Sequence, residues 1–194
     1  MNKDIAILEQ VITGRRSIGW AKMNGQIVPD ATIKQLLALA DWAPTHARTE
    51  PWQFFVYTGA ALKQFGQDHA ALYWDHTAEE KRQQATYDRL TIMGDKVSHL
   101  VIAVMKRGTN DKIPKLEEIC AASAAVQNIL LGATAMGIAS FWSTGGMTHT
   151  HALKDYLHLA EEDVILGLIF LGHTDEPAKA GVRNIPLDDK IKWF

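Results

Sequence analysis

The feature that most constrains the fold is a helical pattern over residues 116–136 in which no charged residue follows Glu118. Ala124, Ala125, Leu130, Leu131 and Ala133 spread around it rather than forming one narrow stripe. A helix that is apolar on most sides has to be buried on most sides. In a chain of 194 residues, that implies a sheet against one side and a partner subunit against another. Strands to build the sheet are legible as aromatic and β-branched runs over residues 52–58, 100–105, 138–142 and 164–171. The last of these is continuously apolar, and the second reads as buried.

Helices separate these strands. Over residues 4–13, Ile5, Leu8 and Ile12 recur at helical spacing until Gly14. Pro29-Asp30 reads as a helix start with Asp30 as its cap. Ile33, Leu36, Leu37 and Ala40 form its apolar stripe, and Ala43-Pro44 stops it. Residues 60–93 read as polar and helical, with Leu62, Phe65, Leu72 and Tyr73 available to pack. Thr148 is expected to cap a helix running through Leu157. Residues 174–194 carry Pro177, Gly181 and Pro186 and read as an extended arm over the surface or over another subunit. Few strands dispersed among helices give an α+β class, with residues 1–194 as one domain and 174–194 as its C-terminal arm.

Composition excludes several functions. The net charge is −2, without basic blocks, so no strong field recruits nucleic acid or an anionic membrane. The longest apolar runs, such as residues 164–172, are too short to span a bilayer as helices. The opening residues lead into an amphipathic stretch rather than a signal peptide, so a soluble cytoplasmic protein is the expectation. Cys120 is the single cysteine, which rules out an internal disulfide, and it is expected as a small buried residue. His149 and His151 could suggest a metal, but their two-residue spacing splays them on a helix and no ligand set completes them. His69, His76, His99, His158 and His173 are scattered and expected at the surface or behind a site. Tyr73 and Trp74 fit either substrate gating or packing.

Three segments can carry chemistry. Arg15-Arg16-Ser17 sets two guanidinium groups beside a hydroxyl, which suits a phosphate monoester and equally a solvated face. Residues 43–52 place two prolines, five polar side chains and an indole in a short loop; they could hold a polar heterocycle or make an ordinary turn. Phe141-Trp142-Ser143-Thr144-Gly145-Gly146 ends a strand in small residues, which lets backbone approach a planar ligand or simply turn the chain.

The order of these segments resembles the nitroreductase family. The likeness rests on Arg15-Arg16-Ser17, Ala43-Pro44-Thr45, Pro51-Trp52-Gln53-Phe54-Phe55-Val56, Ala135-Met136-Gly137-Ile138 and Leu168-Ile169-Phe170-Leu171-Gly172. It covers nearly the whole chain. The resemblance implies an FMN-binding α+β sandwich whose central, mainly antiparallel sheet is flanked by helices. It also implies a homodimer with FMN at the subunit interface, NADH or NADPH as electron donor, and a small-molecule acceptor such as a nitroaromatic or quinone reduced by a ping-pong mechanism. By that resemblance, Arg15 and Ser17 contact the phosphate or ring edge, with Arg16 close by. Thr45, His46 and Glu50 approach the flavin from the partner subunit, while Trp142, Ser143, Thr144 and Gly145 line the ring. Arg183, with Lys179 as alternative, completes the phosphate site. No side chain is required as catalytic acid or base, and no metal is implied.

Arg48 and Glu50 depart from the Asn and Gln common at those positions. A glutamate can accept from the flavin N3–H but cannot donate as glutamine does. Arg48 could pair with Glu50 or reach the phosphate. Relatives that dehalogenate or dehydrogenate, an FMN carrier without turnover, and a flavin-free interaction domain remain as competing readings.

Overall fold

The computed structural model describes residues 2–177 and 179–194. Its centre is a four-stranded sheet built from β1 (Trp52–Thr58), β2 (His99–Met105), β3 (Ala139–Ser143) and β4 (Val164–Gly172). The strand order is β1-β2-β4-β3, and every neighbouring pair is antiparallel. The central strands carry apolar residues on both faces because both faces are covered.

On one face α2 (Asp30–Ala40) and α5 (Lys115–Ala135) pack over Val101, Ala103, Leu166, Ile169 and Leu171. On the other, α3 (Gly59–His76), α4 (Gln84–Thr91) and α6 (His151–Tyr156) pack over Leu100, Ile102, Ile165, Leu168 and Phe170. The amino-terminal α1 (Lys3–Gly14) buries no residue, and its Ile5, Leu8 and Ile12 are all about half exposed.

The β2–β4 register shifts between Ala103 and Val104, which face Gly167 and Ile165 and leave Leu166 as an extra residue. A strict two-residue alternation would send every later side chain of β4 to the wrong face, and the bulge corrects it. Ile165 and Leu168 therefore share one core, while Leu166 and Ile169 share the other. Gly167 carries φ +155°, and a Cβ there would collide with the Trp142 indole nitrogen. That nitrogen donates to the Leu166 carbonyl at 2.9 Å.

Buried charge braces the start of α5. Glu118 accepts from Arg107 Nη1 at 2.5 Å and from the Gly108 N–H at 3.2 Å. Next to it Asp163 accepts from Lys106 Nζ at 2.5 Å and from the Arg107 N–H at 2.9 Å. Burial alone would raise the Asp163 carboxyl, but these donors outweigh it and hold it below its ordinary value.

Several expectations are corrected. Asp30 is the first residue of α2 rather than its cap; Pro29 occupies the cap position, and the Asp30 carboxylate reaches His99 instead. The helical stretch over 60–93 is two helices, broken by a turn at Glu79–Lys81. Thr150, not Thr148, caps the short α6 by accepting from the Leu153 N–H. Helix α5 is long and apolar enough to cross a membrane by length and composition, contrary to the reading of the apolar runs, but half of it is buried in the sandwich. Its outer face is open, and Cys120 lies exposed there rather than buried. Residues 179–194 form an exposed arm with one short turn at Asp188–Lys190.

Gly167→Ala should destabilise the fold by about 2–4 kcal/mol, combining backbone strain with loss of the Trp142 hydrogen bond. Urea unfolding checks this; a midpoint within error of the parent would mean the bulge tolerates a side chain.

Candidate active site

Two clefts open along the outer side of α5. The first, of about 270 Å³, is lined by Arg15, Ser17, Gln127, Leu130, Trp142 and Thr144. Its position follows from backbone pairing. Ser17 bridges to Ser140, and the Ile18 N–H donates to the Ser140 carbonyl at 2.9 Å. The Arg-Arg-Ser segment thus runs beside the outer edge of β3 and covers it.

The two arginines have different duties. Arg15 makes one long contact, Nη1 to Ser17 Oγ at 3.5 Å, and has no carboxylate partner among the described residues. Arg16 spends its donors on backbone: Nε on the Lys179 carbonyl at 2.7 Å, Nη1 on Thr13 and Arg15 carbonyls at 2.6 and 2.8 Å. Gly181 packs so close that a Cβ there would lie 2.6 Å from Arg16 Nη2. Arg16 therefore ties down the root of the arm. Arg183 is exposed on that arm, bonded to the Val182 carbonyl, and does not line the cleft.

The turn after β3 is held from beneath. The Met147 N–H donates to His69 Nε2 at 2.8 Å, Thr148 Oγ1 donates to the Gly145 carbonyl at 2.6 Å, and the Gly145 N–H donates to Ser143 Oγ at 3.2 Å. Gly146 has φ +64°, and a Cβ on it would meet His69 Nε2 at 2.6 Å, so glycine is required twice over. His69 is fully buried behind this turn; of the two placements expected from sequence, the surface or behind a site, it takes the second. Burial pushes its imidazole down to about 4. Because Nε2 accepts, Nδ1 carries the proton, and it finds no partner among the described residues.

The second cleft, of about 430 Å³, is lined by Pro44, Thr45, His46, Leu116, Glu117, Cys120 and Ala121. Its loop is internally braced. Thr45 Oγ1 lies 2.8 Å from Thr49 Oγ1 and accepts from the Glu50 N–H at 3.2 Å. Ala47, Arg48 and Glu50 have φ of 51°, 57° and 43°. His46 Nδ1 lies 2.6 Å from Glu117 Oε2. No Arg48–Glu50 ion pair forms among the described residues. The two clefts share no lining residue, so Thr45 and His46 do not meet Arg15, Ser17, Trp142 and Thr144 within one chain. Glu50 and Gly145 line neither cleft, although Gly145 belongs to the turn at the first.

Sequence reasoning missed Gln127, Leu130 and Glu117. Gln127 had a signal, as a polar residue inside the apolar run of α5. Ser98 Oγ, His99 and Asp30 form a further chain of 2.9 and 3.1 Å contacts. Ser98 is fully buried and its oxygen accepts from the Val28 N–H at 2.7 Å, so this is a strut between α2 and the sheet rather than a nucleophile.

Residues 12–173 match the model of the nitroreductase family. The chain belongs to that family, as its motifs imply, and its α+β sandwich is the family's fold. Escherichia coli K12 YdjA, provisionally named an NAD(P)H nitroreductase, is 26% identical over 158 residues, covering 79% of this chain and 81% of its own. A nitroreductase-like protein from Bacillus cereus superposes with a TM-score of 0.80 at 25% identity, covering 97% of this chain and 95% of its own. NfnB of Mycobacterium smegmatis, an FMN-dependent nitroreductase in complex with NADPH, superposes with a TM-score of 0.77 at 17% identity, covering 99% and 100%.

His69 couples this region to pH. The unfolded side chain takes up its proton near pH 6.5, the folded one only near pH 4. The unfolded state binds more protons across that window, so stability falls as pH drops through it, by roughly 3 kcal/mol in total. Urea midpoints at pH 7 and pH 4 should show this loss in the parent chain and a smaller one in His69→Gln; equal losses would remove His69 as the cause.

Proposed function

We propose that this chain is an FMN-dependent oxidoreductase that takes electrons from NADH or NADPH and passes them to nitroaromatic, quinone or similar electron-poor acceptors, working as a homodimer. The observation that carries the reading is Arg15, a guanidinium without a carboxylate partner among the described residues, set beside Ser17 in a cleft that a glycine turn approaches. A cation left free beside a hydroxyl is a ready receptor for a phosphate or for the electron-rich edge of a flavin.

The first cleft is smaller than the ~300–1,000 Å³ usual for cofactor sites, so it supplies only part of the wall a flavin needs. The second cleft supplies another part on the same side of α5. Two chains joined across the outer faces of α5 bring the loop of Thr45, His46 and Glu50 from one to Arg15, Ser17, Trp142 and Thr144 of the other. Exposed apolar residues favour such an association: Ile5, Leu8 and Ile12 on α1, Leu116 on α5, and Val182, Ile185, Leu187 and Trp193 on the arm.

In this arrangement Arg15 and Ser17 hold the phosphate or ring edge, and the positive charge favours electron density on the ring. Trp142 forms part of the wall, fixed by its bond to Leu166. Ser143, Thr144 and Gly145 present the turn to the ring, and Arg183 reaches the phosphate through the arm. The flavin supplies hydride transfer from nicotinamide to acceptor, which take the same place in turn. The protein's part is to orient and to exclude water, so a transient nicotinamide needs no dinucleotide-binding domain.

The purified protein is expected to be yellow, or to take up added FMN, and to bleach with NADH or NADPH without oxygen. Arg15→Ala should weaken FMN binding by about 1–3 kcal/mol, the cost of a charge-assisted hydrogen bond, measured by flavin fluorescence titration. A colourless protein that takes up no FMN would overturn the reading.

A further inference from the structure

Resting on the flavin reading above, we propose that His46, oriented by Glu117, donates the proton that an acceptor needs when it is reduced. Reduction of a quinone to its hydroquinone takes one hydride and one proton. The nicotinamide donor supplies the hydride by way of the flavin, and that route leaves the proton without a source. In the step proposed, the Nε2–H bond of a protonated His46 breaks as an O–H bond forms on the acceptor. The hydride's electron pair completes the hydroquinone, and the imidazole is left neutral and recovers its proton from water. Glu117 stays a carboxylate throughout and steadies the cation.

Four observations support this. Nδ1 of His46 lies 2.6 Å from Glu117 Oε2. An ionised carboxylate only accepts, so Nδ1 carries the hydrogen and Nε2 is left to exchange a proton. Nε2 has no hydrogen bond among the described residues. The ring also lines the 430 Å³ cleft rather than lying flat on an unbroken surface.

The fourth observation is strain. Ala47, Arg48 and Glu50 all lie in the left-handed region without being glycine. Each such residue is strained and persists only where its surroundings over-determine it. Here the over-determination comes from Pro44 and Pro51 at the ends and the Thr45–Thr49–Glu50 bonds within. Asparagine or glycine would make the same connection at less cost. The strain fixes where His46 stands, which a surface ion pair contributing little to stability would not require. Cys120 on α5 lines the same cleft, and Arg48 and Glu50 stand on the loop itself.

The test uses flavin-loaded protein reduced by NADPH without oxygen, then mixed with benzoquinone or with ferricyanide. Ferricyanide takes electrons singly and no proton, so the ratio of the two rates isolates proton delivery from flavin binding. In His46→Ala that ratio should fall at least about a hundredfold, the low end for a positioned acid, and added imidazole should restore it. Glu117→Gln should lower it less. In flavin-free protein, ¹⁵N spectra of His46 should show the Nδ1-protonated tautomer, and Glu117→Ala, which removes the acceptor, should lose it. An unchanged ratio, equal slowing with both acceptors, or a tautomer indifferent to Glu117 overturns the proposal. A parent protein that never bleaches with NADPH removes the flavin reading, and this proposal with it; a parent that bleaches while the ratio holds removes the proton donor alone.

Discussion

The bulge at Leu166 in β4 is the constraint on which the rest is built. Both faces of this sheet are covered, so β4 must feed two cores at once and cannot afford a slip in alternation. One extra residue realigns it against β2 and, in doing so, turns the Leu166 carbonyl out of the ladder. The Trp142 indole takes that carbonyl, and Gly167 leaves room for the ring. A correction to strand register thus sets the wall of the first cleft. The turn that follows β3 inherits its position from the same contact and is then held from below by a neutral, buried histidine.

Around that frame, neighbouring residues of like chemistry are given unlike work. Arg16 satisfies three backbone carbonyls and anchors the arm, which leaves Arg15 as the cation of the cleft. Thr45 likewise turns its hydroxyl inward to brace the loop, so what the loop offers outward is the His46 imidazole and backbone. Glu118 and Glu117 divide in the same way. The first is buried on Arg107, and the second is half exposed and pairs with His46.

Much of this was legible in the sequence. Strand positions followed from β-branched and aromatic runs, and the apolar α5 announced both a sheet and an uncovered side. The order of the three motifs gave the family. What stayed hidden depended on contacts between distant residues. Whether Arg15 or Arg16 points outward is decided by the Lys179 carbonyl, which lies far along the chain. Asp30 looked like a helix cap until a buried His99 claimed it. Thr148 and Thr150 are equivalent by local propensity, and the Gly145 carbonyl chose between them. His69 looked like one more scattered histidine on a polar helix, because nothing in the neighbouring residues records that a glycine turn will close over it.

The exposed arm has a thermodynamic consequence of its own. Its root is pinned by one guanidinium, while Val182, Ile185, Leu187 and Trp193 beyond it lie exposed. Ordering such a tail costs chain entropy, and burial of its apolar groups comes only when another surface closes over it. Where that surface is a second copy, concentration enters the free energy of the native state by mass action. Dilution then loosens the end of the chain well before it loosens the sheet.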